Sequence, residues 1–251
     1  PLALNTGEAA LIDQQSESLL VQTVETSLGC EVTIANPAGA RDKIVSTDQI
    51  FVLQALVNWK NVESIEAELV LPAGYSTQDN LIKGVRSQRV YWQISAPSQS
   101  APPRFFQVEV RGKDSFQPQK EIIGKSGQVS VEARVKARLN LTLSISDNSV
   151  SPGQIFEVTA EVDNLGEADT IGVTRVELND LPDGFSTPDE MSRIVSEGEV
   201  VWRIRAPEAP NMDAVNIGGF ISRIPLDENT SRKAVVETGT DKVAVSVVGG
   251  W

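Results

Sequence analysis

The chain of 251 residues carries 34 acidic side chains against 22 basic ones, a net charge of −12, with no histidine and one cysteine. An acidic surface repels phosphate backbones, which argues against nucleic acid as a partner. Absence of histidine removes the usual general base and the commonest metal ligand, and one thiol permits neither an internal disulfide nor a zinc cluster. No apolar run approaches the roughly 18 residues that span a bilayer, and no signal-peptide pattern is read at the start. The length leaves room for two domains, each large enough to bury a core.

Residues 1–18 are small and polar apart from the patch Ala9-Ala10-Leu11-Ile12, and Leu19-Leu20-Val21-Gln22-Thr23-Val24 reads as a strand. We expect residues 1–28 to be the end of a preceding repeat or an N-terminal extension. Cys30-Glu31-Val32-Thr33-Ile34 alternates, which turns Cys30 inward as a small apolar residue. The stretch Val45-Ser46-Thr47-Asp48-Gln49-Ile50-Phe51-Val52-Leu53-Gln54-Ala55-Leu56-Val57-Asn58-Trp59 joins a turn to a long strand. A second alternating run, 64–71, stops at Leu71-Pro72-Ala73-Gly74, where proline fixes φ and glycine accepts a positive one. Strands over 88–94 and 105–110, separated by Pro97, Pro102 and Pro103, and a closing strand near 128–135 complete the unit.

The unit then recurs. Residues 45–59 return as Val150-Ser151-Pro152-Gly153-Gln154-Ile155-Phe156-Glu157-Val158-Thr159-Ala160-Glu161-Val162-Asp163-Asn164, 105 positions on (150 − 45). Leu71-Pro72-Ala73-Gly74-Tyr75-Ser76-Thr77 returns as Leu181-Pro182-Asp183-Gly184-Phe185-Ser186-Thr187, and Val90-Tyr91-Trp92 as Val200-Val201-Trp202, each 110 on (181 − 71, 200 − 90). The inserted residues fall in 164–169, a polar turn ahead of an expected strand over 171–178; sandwiches vary by growing a hairpin loop while strands stay fixed. Lys242-Val243-Ala244-Val245-Ser246-Val247 copies the closing strand, so the chain reads as cut from a longer array. Short strands between turn signals, without helical periodicity, predict an all-β chain of two tandem immunoglobulin-like β-sandwiches. We place them at 29–137 and 138–248, with 249–251 starting a further segment. The boundary segment Arg134-Val135-Lys136-Ala137-Arg138 has no turn residue, which predicts a stiff joint.

The strand opened by Ser151-Pro152-Gly153-Gln154, the hairpin Val162-Asp163-Asn164-Leu165-Gly166-Glu167-Ala168-Asp169 and the turn Leu181-Pro182-Asp183-Gly184-Phe185 together resemble the immunoglobulin-like repeats of bacterial and archaeal cell-surface and secreted proteins, NEW3-like or CARDB-like domains in particular. The resemblance covers most of 145–247. In 30–135 Thr47-Asp48 replaces the Pro-Gly turn and Trp59 stands where Asn164 would fall. These motifs are turn chemistry and specify a fold better than a function. The resemblance implies a spacer, an adhesion stalk or an accessory module.

Trp92, Trp202, Phe51 and Phe156 are expected in the cores; a sugar-stacking role for the tryptophans is the alternative. Tyr91 alternates outward, and an exposed aromatic patch around Tyr75, Tyr91 or Trp59 would mark a glycan site. Asp163, Asn164, Glu167 and Asp169 offer the oxygen ligands that calcium prefers, although a tight hairpin needs the same residues without a metal. Val52 and Leu56 alternate away from the core, where the second repeat has Glu157 and Glu161. They mark a contact surface for a neighbouring domain or another chain, or are covered by residues 1–18. Asn140-Leu141-Thr142 and Asn229-Thr230-Ser231 match the N-glycosylation triplet. No catalytic residue, cofactor or metal ligand is assigned.

The expected function is that of a non-catalytic extracellular or cell-envelope module, a structural spacer or adhesion stalk in a larger surface or secreted protein. Its partners are then neighbouring repeats of the same chain, with glycans or another surface protein as further candidates. A carbohydrate-binding accessory module and a subunit assembling through strand edges are the alternatives.

Overall fold

The computed structural model describes residues 25–249, so the expected strand over 19–24 and the patch over 9–12 lie outside the described residues. The first half is built from β1 (Ser27–Asn36), β2 (Ile44–Ser46), β3 (Ile50–Lys60), β4 (Val62–Val70), β5 (Ser76–Thr77), β6 (Ile82–Gly84), β7 (Arg89–Ser95), β8 (Ala101–Asp114), β9 (Glu121–Ile123) and β10 (Gly127–Arg134). A 3-10 turn, Ala38–Asp42, sits between β1 and β2. The second half follows with β11 (Arg138–Ile145), β12 (Ser149–Val150), β13 (Ile155–Asn164), β14 (Thr170–Ile171), β15 (Arg175–Leu178), β16 (Ser192–Ile194), β17 (Glu199–Arg205), β18 (Asn211–Arg223), β19 (Leu226–Asp227), β20 (Val235–Thr238) and β21 (Thr240–Val247).

In each half two sheets face one another, and the chain is a tandem of two immunoglobulin-like β-sandwiches. One sheet of the first sandwich runs β1-β3-β7-β5 and the other β2-β10-β8-β4-β6, with β9 added to β8. The second sandwich repeats the pattern as β17-β13-β11-β20 and β12-β21-β18-β15-β16. The duplication extends to register: Leu53 lies opposite Trp92 and Val158 opposite Trp202.

Period-two alternation makes these sheets two-faced. In β3 Phe51, Leu53, Ala55 and Val57 point inward and are buried, as are Phe156, Val158 and Ala160 in β13. Trp92 and Trp202 are fully buried at the centres of two separate apolar clusters. Each indole N–H donates to a backbone carbonyl, Trp92 to Asn80 at 3.1 Å and Trp202 to Glu190 at 2.9 Å. A buried indole needs such a partner. Tyr75 is also in the core, 6 % exposed and edge-on to Phe106 at 4.8 Å between ring centroids, so it belongs to no surface patch. Burial pushes its phenol up to about 12.

The expected single strand over 171–178 is two short ones. β14 leaves the main sheet to pair with β19, and Gly172, at φ 103, breaks the run before β15. The short strand that follows the insertion thus pairs outside the two main sheets of the second sandwich.

Candidate functional site: the joint between the sandwiches

Three residues, Val135, Lys136 and Ala137, connect β10 to β11. Glycine and proline are absent from this linker, yet its geometry comes mainly from side chains on both sandwiches. Ala137 N–H donates to Asp227 Oδ2 at 2.8 Å, and Ser46 Oγ donates to Asp227 Oδ1 at 3.1 Å. Asp227 shapes its own hairpin by accepting Thr230 N–H at 2.8 Å. Gln49 Nε2 donates to the Asn229 carbonyl at 3.0 Å, and Asn229 Nδ2 to Ser46 Oγ at 3.3 Å. Ser46, Gln49, Asp227 and Asn229 are all buried. Polar groups withdrawn from water must find partners, and here the partners come from across the joint.

The hairpin considered for calcium grips the linker from the other side. Glu167 Oε2 accepts Val135 N–H at 2.8 Å, and the Glu167 and Ala168 N–H groups both donate to Val135 O at 2.9 Å. Asn164 Oδ1 accepts Arg138 N–H and Gly166 N–H at 3.0 Å each. Gly166 is required by close approach, since a methyl there would run into the Lys136 carbonyl. Asp163 and Asp169 are exposed, and among the described residues no group of three or more acidic, cysteine or histidine side chains could hold a metal ion. The oxygens read as calcium ligands divide between the linker backbone and solvent.

The first sandwich adds its 3-10 turn to the contact. Gly39 lies so close to Glu228 that any Cβ would collide with the Glu228 carbonyl. Beside the joint a crevice of about 360 Å³ opens between Pro37, Asp48 and Ile50 on one side and Thr230, Arg232 and Lys233 on the other.

Val52 and Leu56 lie half-buried on the outer face of β3, between Asn36 and Gln93 and between Glu31 and Arg89. Tyr91, 44 % exposed, shares that face opposite Gln54. Trp59 is 38 % exposed at the end of β3 and continues its inward-facing series, so it lies on the other face of the sheet from Tyr91. Asn140 is half-exposed, with its amide on Thr142 Oγ1 at 3.3 Å. Asn229 is only 3 % exposed inside the joint, which closes that glycosylation triplet to modification.

Ser46, Gln49, Asp227 and Asn229 did not stand out in the sequence as joint residues. A signal existed for the first two, because Ser46 and Gln49 recur as Ser151 and Gln154. For Asp227 none did, since Ser46 and Ala137, which it ties together, lie 181 and 90 positions away.

No family model matches the chain, and no curated protein matches its sequence. Among solved structures it is similar to the adhesin InvE of Yersinia pseudotuberculosis, at 8 % identity over 88 % of this chain and a TM-score of 0.32. It spans 58 % of that InvE chain. The D00–D0 domains of intimin align at 15 % identity over 87 % of this chain and 99 % of theirs, with a TM-score of 0.31. Fibronectin(III)-like modules of CbhA from Clostridium thermocellum align at 16 % identity over 86 % and 93 %, also at 0.31. The sandwich assignment rests on the chain's own sheet order and register.

Proposed function

We propose that the two sandwiches, residues 29–137 and 138–248, are a rigid, non-catalytic spacer or adhesion stalk within a larger extracellular or cell-envelope protein. The buried network joining Ser46 and Gln49 to Asp227 and Asn229 carries this reading. A flexible tether needs no such network, whereas a spacer transmits distance only if its joints are fixed. The net charge of −12 favours the same role, since like-charged rods repel and stay dispersed when crowded. Kinship with NEW3-like or CARDB-like repeats belongs to this proposal and is supported by the matched turns at Gly74 and Gly184, with φ 92 and 85.

Small-angle scattering tests the reading. A rigid rod gives a maximum dimension near twice that of one sandwich, with a narrow distance distribution. A broad distribution, or the dimension of a compact globule, would sink it. A glycan array separates the carbohydrate-binding alternative, for which the buried Tyr75 removes one of three supposed platform residues.

A further inference from the structure

The turn that receives the second sandwich exists twice. In the first sandwich Gln49 N–H donates to Ser46 O at 3.1 Å, and Ser46 N–H donates to the Gln49 side-chain Oε1 at 2.6 Å. In the second, Gln154 N–H donates to Ser151 O at 3.1 Å and Ser151 N–H to Gln154 Oε1 at 2.9 Å. Asp48 and Gly153 take the same left-handed conformation, φ 59 and 71, and donate to Pro97 O and Pro207 O, each at 3.0 Å. The departing chain matches as well. Ala133 pairs in parallel with Val45, Val247 pairs in parallel with Val150, and Val248 N–H continues that pairing to Val150 O at 2.8 Å. Arg134 and Val248 therefore leave their sandwiches in the same register relative to the turn.

The copies differ in what covers them. Ser46 and Gln49 are 0 % and 7 % exposed beneath Asp227 and Asn229, while Ser151 is exposed and Gln154 half-exposed. The opposite end of the first sandwich carries the complementary device. Asp114 opens a hairpin there by accepting Phe116 N–H at 2.8 Å, and it accepts Thr26 Oγ1 of the entering chain at 3.4 Å. Asn61 Nδ2 donates to the carbonyl of the neighbouring Glu25 at 2.8 Å. Each sandwich thus has a gripping end, led by an aspartate hairpin, and a receiving end, the Ser-x-x-Gln turn.

We propose that the Ser151–Gln154 turn is a docking face for a further sandwich of the same kind, joined in series. It would receive that sandwich's aspartate-led hairpin through Ser151 Oγ and Gln154 Nε2, as Ser46 and Gln49 receive Asp227 and Asn229. The inference rests on the spacer reading and gives it a direction: units add with one polarity and one joint geometry. The second face lacks a counterpart of Ala38–Asp42, because only four residues separate Ile145 from Val150, so its contact is smaller than the first.

The test extends the full chain after Val248 with a second copy of residues 135–249 and measures residual dipolar couplings for each sandwich. The expected result is one shared alignment tensor for the second and third sandwiches, as for the first and second. Replacing Ser151→Ala together with Gln154→Glu, which keeps an oxygen for Ser151 N–H, should free the third sandwich and leave the first two locked. An independent third tensor in the unmutated extension overturns the proposal, and so does a shared tensor that survives the double replacement. A version with a short Gly-Ser spacer ahead of the copy gives it room to fold alone, and docking there still yields the shared tensor. Independent tumbling of the first two sandwiches in the unextended chain is a separate outcome that sinks the spacer reading itself.

Discussion

Ser46 and Asp227 lie 181 positions apart in the chain, and the hydroxyl of one donates to the carboxylate of the other at 3.1 Å with both side chains sealed from water. Asp227 also takes the N–H of Ala137, so one carboxylate ties together the first sandwich, the linker and its own hairpin. The proposed rigidity of the joint rests on that convergence.

Asp227→Ala should loosen the joint without unfolding either sandwich. It leaves Ser46 Oγ and Ala137 N–H without their acceptor, and an unsatisfied buried polar group costs about 1–3 kcal/mol. Scattering should show a broadened distance distribution while the core tryptophan signals stay native; an unchanged distribution would count against the joint as described.

Gly39→Val should act by steric means on the same contact. The added carbons must displace the Glu228 carbonyl, which belongs to the other sandwich. Relaxation requires the two bodies to part, so amide exchange at Gln49, whose side chain bonds the Asn229 carbonyl, should accelerate. Slow exchange there in the variant would show that the 3-10 turn absorbs the change alone.

Most of the fold was legible because each sheet has one wet face, and a period of two exposes that in sequence. The matched blocks around Trp92 and Trp202 correctly showed one architecture used twice. The short pairing of β14 with β19 was invisible, since two-residue strands leave no periodicity and the paired residues are 57 and 55 positions apart (227 − 170, 226 − 171). Asn164 and Glu167 were visible as a polar cluster, but which groups they face is a tertiary fact: their acceptors serve the linker backbone. Asn229 read as a surface triplet because nothing local announces that its hairpin is covered.

Trp92→Ala and Trp202→Ala should each destabilise mainly the sandwich that contains them. Truncating a fully buried aromatic costs about 3–5 kcal/mol, a large share of a small domain's stability. Denaturant unfolding should split into two transitions, with the early one moving between sandwiches according to the variant. A wild-type curve for either variant would contradict the burial seen here.

Stability should fall in acid through a matched pair of carboxylates. Asp79 is held below its ordinary range by the Gln93 N–H at 2.8 Å, and Asp189 by the Arg203 guanidinium and the Arg203 N–H. A carboxylate depressed in the folded state contributes fully above the unfolded value, about 3.9, and loses that contribution as pH falls through the folded value. The curve should therefore be flat from neutrality to about pH 5 and decline below about pH 4. Asp189→Asn should flatten the decline for the second sandwich only.

Cys30 should be inert to thiol reagents until the first sandwich opens. Burial pushes its thiol up, and Sγ is engaged by the Val108 carbonyl at 3.3 Å and the Gly127 N–H at 3.2 Å. Labelling rates across denaturant should track unfolding of the first sandwich; rapid native-state labelling would show that β1 frays.

The parallel pairs β2–β10 and β12–β21 set how the molecule responds to a pull on its ends. In each sandwich an early strand and the final strand run side by side in the same direction, and tension reaches them from opposite ends. The hydrogen bonds between them lie across the line of force and are loaded together in shear, instead of opening one at a time. Each sandwich is thus latched at the strand by which the chain leaves, against a segment just downstream of the strand by which it enters, β1 or β11.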